Sequence, residues 1–348
     1  MAGGILLRMR LLFVTLATIL LTPAVVSAAE TSIFYYPWWG TLKRDGSYLH
    51  WSQRGHVPPD DLATTFYPAR GVYSSSDWKL VRSQMKEIAR SGVSEIVSSW
   101  WGRGSIEDRR LPVVMHAAWA SHLDVAVQIE PYEKTRRTAS VLGDELAYLH
   151  SLGVRRVYVY RPFDDLIDDA SWRDLTAQYP DLEMWAQTSD PERAAAAGFE
   201  GVYTYDVFGV RGGAFASLCA RAHAVGLACS PSVGPGYNAR RGTGDERVRS
   251  RRNGATYDGM WRAAIAAAPD RITITSYNEW HEGTQIEPAA KHARTFDGRY
   301  ANYDGAYGKV GVAAQTAYLA RTEHWTGQYR AAAAARGAIR AVIGFISL

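Results

Sequence analysis

The sequence predicts a single (β/α)8 TIM barrel, on three observations. Eight short runs rich in Val, Ile, Tyr and Phe alternate with amphipathic stretches. Several of those stretches close on a glycine just before the next run, at Gly92, Gly153, Gly198 and Gly226, where the left-handed turn that ends a helix costs least. The 348 residues, 47% of them hydrophobic, suffice for such a barrel as one domain, which takes about 250 residues or more. An open doubly wound sheet is the rival. Against it, the first run leads into Pro37-Trp38-Trp39-Gly40 rather than a glycine-rich phosphate loop.

Taken in order, the predicted strands are 32–36 (Ser-Ile-Phe-Tyr-Tyr), 94–99 (Ser-Glu-Ile-Val-Ser-Ser), 124–130 (Asp-Val-Ala-Val-Gln-Ile-Glu) and 155–160 (Arg-Arg-Val-Tyr-Val-Tyr). They continue with 182–187 (Leu-Glu-Met-Trp-Ala-Gln), 200–205 (Glu-Gly-Val-Tyr-Thr-Tyr), 227–232 (Leu-Ala-Cys-Ser-Pro-Ser) and 271–275 (Arg-Ile-Thr-Ile-Thr). β-Branched and aromatic residues favour the pleated, half-buried surface of a strand. Amphipathic periodicity predicts helices at 77–91, 111–121, 139–151 and 213–225, among others. Residues 41–76 form a long first βα loop, rich in Pro, Asp and Tyr, expected to fold over the cleft. The Ala-rich segment 331–348 is expected to be a C-terminal helix or tail, after a barrel spanning 29–330.

Residues 1–28 read as a signal peptide. Arg8 and Arg10 precede an apolar stretch, and Val26-Ser27-Ala28 is a small-residue cleavage site. The expected location is secreted or periplasmic. An N-terminal membrane anchor is the alternative, but the apolar stretch is short for a span of about 20 residues. Cys219 and Cys229 are a disulfide or two buried thiols. The formal net charge of +4 gives no reason to expect nucleic acid, and no stable membrane partner is expected.

In such a barrel, catalytic residues stand at the carboxyl ends of the strands. Here those ends carry Tyr35-Tyr36, Trp100-Trp101, Glu130-Pro131-Tyr132, Tyr160, Gln187, Tyr203 and Tyr205, Ser232, and Asn278-Glu279. The eighth run leads into Tyr277-Asn278-Glu279-Trp280-His281-Glu282-Gly283-Thr284-Gln285-Ile286-Glu287-Pro288. Two carboxyls three residues apart at a strand end suit glycoside hydrolysis, which needs a proton donor and a base or nucleophile. Burial beside Trp280 raises a carboxyl's pKa. His281 orients a carboxylate or donates to a sugar hydroxyl. Glu130 bonds substrate hydroxyls or pairs with an Arg. Tyr36 and Trp100 contact sugar or fill the barrel. The Gly/Pro loop ending at Tyr237 shapes a subsite floor or is a plain turn. Arg247, Arg249, Arg251 and Arg252 read as a solvated helix face. His281-Glu282 opens a zincin-like string, but Gln285 stands where the second His belongs, so no metal and no cofactor is expected.

With those residues in view, the chain resembles glycoside hydrolase family 99, the endo-α-1,2-mannosidases and α-mannan endo-1,2-mannanases. The matching segments are Phe34-Tyr35-Tyr36 with Trp38, 48–51, Pro58-Pro59-Asp60-Asp61 with Phe66-Tyr67-Pro68, Ser99-Trp100, Ile129-Glu130-Pro131-Tyr132, 201–205, 231–237 and 276–288. The resemblance implies a retaining, endo-acting enzyme on α-mannose-containing oligosaccharides or polysaccharides, working through a 1,2-anhydro sugar. It assigns Glu279 as the base on the 2-hydroxyl and Glu282 as the acid on the leaving oxygen. It puts Tyr36, Trp100, Glu130 and Tyr205 in the cleft, with Tyr203 as the alternative to Tyr205; Tyr237, Asn278 and His281 complete the expected binding set. The chain departs from the pattern in a shorter loop between Trp51 and Pro58, in the connection between Tyr132 and Tyr160, and at Arg161, where an Asp is expected. These bear on the outer subsites. Other readings are a barrel glycosidase on another polysaccharide, or a non-catalytic glycan-binding protein.

Overall fold

The structure, a computed structural model, describes residues 29–131, 137–164, 167–208, 212–291 and 300–346. The expected signal peptide and Tyr132 lie outside the described residues.

The barrel strands are β1 (Glu30–Tyr35), β2 (Glu95–Trp100), β3 (Asp124–Ile129), β4 (Arg156–Val159), β5 (Glu183–Gln187), β6 (Gly201–Tyr203), β7 (Ala228–Ser230, continued past Pro231 by Ser232–Val233) and β8 (Arg271–Ile274). Neighbours pair in parallel from β1 through β7. The ring closes because β7 serves two partners in succession. Cys229 aligns with Val202 of β6, and Val233 aligns with Ile274 of β8, which in turn pairs with β1. Pro231, with no N–H to give to a ladder, marks the change of partner. The strand ends agree with the sequence reading to within about two residues, close to the ordinary uncertainty of any element boundary.

Around the barrel run α1 (Trp78–Arg90), α2 (Ile106–Trp119), α3 (Ala139–Ser151), α4 (Asp169–Gln178), α5 (Pro191–Ala196), α6 (Gly212–Ala224), α7 (Ala255–Ala266) and α8 (Ala317–Ile346). Asp77, Ser105, Thr138, Asp168 and Asp190 each cap a helix by accepting a first-turn N–H. The Ser105 cap starts α2 more than a turn earlier than its apolar periodicity suggests, with Glu107 and Asp108 in the first turn. The Ala-rich stretch continues α8 without a break. A disulfide joins Cys219 of α6 to Cys229 of β7, Cα atoms 5.2 Å apart, and so settles the two readings left open for that pair.

Strand register assigns each side chain a face. The inner face holds Phe34, Tyr158, Trp185 and Tyr203, with ring centroids 5.0 to 5.9 Å apart. The wide indole explains Gly201 opposite it: a Cβ there would come 2.6 Å from the Trp185 ring. On the outer face Trp100, Val127, Ile129, Val157 and Met184 pack with Leu111, Leu146 and Leu175 of the helices. At the amino-terminal end of the barrel, Glu95 accepts from Ser32 Oγ (2.7 Å), Arg271 Nη1 (3.1 Å) and Arg156 Nη1. At the other end the long first loop is pinned by aromatic packing, Trp39 against Trp51 at 4.0 Å, and by Trp51 Nε1 donating to the Tyr73 carbonyl at 2.9 Å.

Candidate active site

The segment after β8 folds back on itself. Ser276 N–H donates to the Thr284 carbonyl (3.0 Å), Ile286 N–H to the Ser276 carbonyl (2.9 Å), and Glu279 N–H to Ser276 Oγ (2.9 Å). This sets Glu279 and Glu282 one turn apart at the carboxyl end of the barrel. Glu279 Oε1 accepts N–H bonds from His281 (2.9 Å) and, more weakly, from Glu282 (3.3 Å). Glu282 Oε2 accepts from the Tyr205 hydroxyl (3.2 Å), which shares a 2.5 Å hydrogen bond with the Tyr36 hydroxyl. Glu130 completes a trio of mouth carboxyls. Its Oε1 accepts from Ser99 Oγ (2.7 Å) and Gln128 Nε2 (2.9 Å). The neighbouring Arg137 donates to the main-chain carbonyl of Glu130 (3.4 Å) and to that of Tyr160 (2.8 Å).

Among the described residues, no Lys or Arg forms an ion pair with Glu279 or Glu282. Their charge is costly for that reason. Burial, then the charge of Glu282, pushes Glu279 well above the carboxylate range. Burial pushes Glu282 up to about 7 despite the Tyr205 hydrogen bond. Burial likewise raises Glu130 to about 7, against the hydrogen bonds from Ser99 and Gln128. Two carboxyls this close titrate as one unit and tend to share a proton near neutrality.

His281 is neutral, since burial lowers it to about 4. Its Nε2 donates to the His50 carbonyl (2.7 Å), which leaves Nδ1 as the unprotonated nitrogen, 3.7 Å from Glu279 Oε1. The ring thus faces the carboxyl and ties the first loop to the site. It lies against Trp39 (4.8 Å) and Trp38 (6.0 Å), and Trp38 stacks on His50 at 4.6 Å. Tyr237 stands in a short hairpin beyond β7 and donates to Asp245 (2.9 Å). Burial, then the Glu282 charge, raises its pKa.

Three residues expected in the cleft sit elsewhere. Trp100 faces the helices: its Nε1 donates to Asp108 (3.0 Å) and its ring lies near Tyr148, inside the outer core layer. The alternation of β2 gives the inner side instead to the next residue, Trp101, about a third exposed (36%) at the rim. Tyr203 lies a layer below Tyr205, wholly buried between Phe34 and Tyr158. Asn278 spends its amide on the backbone of Tyr36, accepting from its N–H (2.7 Å) and donating to its carbonyl (3.0 Å). It therefore aims Tyr36 rather than meeting sugar.

In the basic run Arg247 and Arg252 are exposed, as a solvated face requires, but Arg251 departs from that reading. Arg251 Nη2 donates to the carbonyls of Gly283 (3.0 Å) and Gln285 (2.6 Å), immediately past Glu282. Its guanidinium lies 4.7 Å from the rings of Phe66, Tyr303 and Tyr318, a cation–π cage that holds the catalytic loop from outside. Glu287, unremarked in the sequence, is a buried hub for the same loop. It accepts from Trp280 Nε1 (2.9 Å), the Tyr73 hydroxyl (2.7 Å), Gln84 Nε2 (2.8 Å) and Arg70 Nε (3.2 Å). Its position in the same motif was the one available signal.

A closed barrel whose mouth gathers unpaired carboxyls and aromatic rings is the architecture of a glycoside hydrolase. The sequence profile of glycosyl hydrolase family 99 matches residues 28–161 and 171–331, and the chain belongs to that family. It is 31% identical over 320 residues to a glycoprotein endo-α-1,2-mannosidase-like protein of Mus musculus, covering 75% of this chain and 70% of the relative. It is 29% identical to the Mus musculus glycoprotein endo-α-1,2-mannosidase, covering 78% and 70%. The solved family 99 endo-α-mannosidase of Bacteroides thetaiotaomicron superposes with a TM-score of 0.77 at 28% identity, covering 87% of this chain and 98% of that one.

Proposed function

We propose that this enzyme is a retaining endo-α-mannosidase that cleaves internal α-1,2 linkages in mannose-containing glycans. The observation that carries the reading is the pair Glu279 and Glu282, set at the barrel mouth with no Lys or Arg paired to them among the described residues. The names of its relatives support mannose as the sugar.

The chemistry divides between the two carboxyls. Glu279 takes the proton of the 2-hydroxyl as that oxygen attacks the anomeric carbon. Glu282 gives its proton to the departing glycosidic oxygen, and a 1,2-anhydro sugar forms. Water then enters: Glu282 takes its proton as the oxygen adds to the anomeric carbon, and Glu279 returns a proton to O2 as the three-membered ring opens. Two inversions leave the anomeric configuration unchanged. The two backbone N–H bonds on Glu279 Oε1 oppose the rise that burial and the Glu282 charge impose on it, and Glu279 acts as the base when the proton the pair shares lies on Glu282. The Tyr205 hydroxyl orients Glu282. Tyr36, Glu130 and Tyr237 contact the sugar hydroxyls.

Incubation with defined α-1,2-linked mannosides, with products identified by mass and the first-formed anomer by NMR, tests the reading. An α-configured fragment larger than a monosaccharide is expected. Products only from another polysaccharide would remove the mannose assignment, and retained glycan without product would identify a binder.

Export through the leader-like residues 1–28 is part of the proposal. The Cys219–Cys229 disulfide supports an oxidising compartment. Amino-terminal sequencing of protein recovered outside the cytoplasm should begin near Ala29, whereas an intact leader on membrane-bound protein would identify an anchor.

A further inference from the structure

The last helix, α8, carries two different surfaces. Its first half packs on the barrel wall. Thr326 Oγ1 donates to the Ser91 carbonyl (3.0 Å), the Tyr329 hydroxyl to the Pro269 carbonyl (3.1 Å) and Arg330 Nη1 to the Gly92 carbonyl (2.9 Å). Those carbonyls belong to the turns that enter β2 and β8, at the amino-terminal end of the barrel. Past Arg330 the helix runs on to Ile346, about 24 Å further at roughly 1.5 Å per residue. From Ala331 to Ile339 every residue is exposed or half-buried, and Ile339 is 59% exposed. The composition changes at the same point. Residues 331–348 read Ala-Ala-Ala-Ala-Ala-Arg-Gly-Ala-Ile-Arg-Ala-Val-Ile-Gly-Phe-Ile-Ser-Leu, and the last acidic residue of the chain is Glu323. Ile339, Val342, Ile343 and Ile346 are spaced i, i+3, i+4, i+7, the period of an apolar helical stripe. Arg336 and Arg340, four apart, fall on one flank of it by the same period.

A second copy of the chain covers such a stripe poorly. Two of these segments would bring their arginines together, with no acidic residue in either to receive them. Crossing a bilayer fits no better, because Arg336 and Arg340 interrupt a stretch already shorter than the span of about 20 residues. An anionic bilayer surface meets both features at once: its acyl boundary takes the apolar stripe and its headgroups take the arginines. We propose that residues 331–348 seat the protein on an anionic lipid surface, lying in the interface rather than spanning it. The attachment starts at the end of the barrel opposite the mouth, which leaves the cleft open to a glycan. The expectation of no stable membrane partner averages over the whole chain, and this segment alone departs from it.

Co-sedimentation with vesicles tests this on the full chain. The vesicles are phosphatidylcholine alone, or phosphatidylcholine with roughly a third phosphatidylglycerol, each at low and high salt. Wild type should pellet with the anionic vesicles, less so at high salt, and little with phosphatidylcholine. Arg336→Glu combined with Arg340→Glu should weaken anionic binding about tenfold or more, since each basic charge near the surface is worth several-fold. Ile339→Asp, at a position already exposed, should weaken it several-fold by breaking the stripe. Unchanged thermal melts show that the variants are folded, and wild type and variants share one amino terminus, so a difference between them belongs to α8. Equal pelleting by wild type and the double arginine variant, or none by either, would overturn the proposal. So would a wild-type dimer that Ile339→Asp splits while no vesicle binding occurs, which would give the stripe to a second copy.

Discussion

The two ends of the barrel both bury carboxyls and treat them in opposite ways. At the amino-terminal end, Glu95 meets two guanidinium groups, those of Arg156 and Arg271, and hydrogen-bonds Ser32; Glu30 and Glu183 join the same network. At the carboxyl end, among the described residues, Glu279 and Glu282 receive a phenol and two backbone N–H groups, while Glu130 receives a hydroxyl and an amide. Desolvation penalises the ionised form at both ends. Below, the guanidinium groups offset part of that penalty, although burial still holds Glu95 above the usual carboxylate range, and the ion pairs make a fixed plug. Above, where no such pair forms among the described residues, protons stay exchangeable near neutral pH, where acid–base catalysis needs them. The difference between a structural and a reactive carboxyl in this barrel is therefore its partner, since burial is common to both.

The largest break in that contrast should come at the mouth. Glu279→Gln and Glu282→Gln should each lower kcat by roughly 10²–10⁴ while leaving the fold intact, read as initial rates beside thermal melts. Near wild-type turnover in either would remove its assigned role. The mirror experiment is Glu95→Gln below. Taking the charge from between Arg156 and Arg271 should cost roughly 3–5 kcal/mol in urea unfolding, with turnover per folded molecule close to wild type.

Glu130→Gln should do the opposite of Glu95→Gln and stabilise. Glu130 ionises at about 7 in the folded protein against 4.5 ordinarily, so the folded state holds its proton more tightly than the unfolded chain. The contribution of Glu130 to stability therefore falls as pH rises from 4.5 to about 7. The variant escapes this loss, gaining up to about 3 kcal/mol at pH 8 and almost nothing at pH 4. Equal unfolding free energies at the two pH values would contradict a buried, unpaired Glu130. For turnover, one carboxyl of the pair must hold a proton while the other is ionised, so kcat should rise as pH climbs through about 7, where the pair loses its first proton, and fall again only when the second is lost. A kcat that does not change between about pH 4 and pH 8 would show that the pair's shared proton takes no part in turnover. The smallest effect is expected in the wall. Trp100→Phe removes one hydrogen bond to Asp108, should cost about 1 kcal/mol of stability, and should leave KM unchanged; a raised KM would return Trp100 to the cleft.

Much of this was legible in the chain because the signals were local. Strand and helix periodicities, and helix-closing glycines such as Gly92 and Gly153, act through neighbouring residues. The pair Glu279 and Glu282 stood out for the same reason, being in one turn after one strand. The adjacent tryptophans were the point of failure. Residue type does not distinguish Trp100 from Trp101, but the register that aligns Trp100 with Ile129 puts one in the wall and gives the other the inner side. Arg251 likewise looked like one of four surface arginines until Phe66 of the first loop and Tyr303 and Tyr318 of the carboxyl-terminal segment closed around it.

By itself, then, the sequence determined the alternation of elements, the barrel class and the acidic turn after the last strand. Each depends on interactions within a few residues. Tertiary structure alone decided which face each aromatic presents and which buried charges find a partner. Arg271 lies 176 residues from Glu95 along the chain and 3.1 Å from it in space. An ion pair of that kind exists only after the ring of strands has closed, and the same closure gives Glu279 and Glu282 none among the described residues.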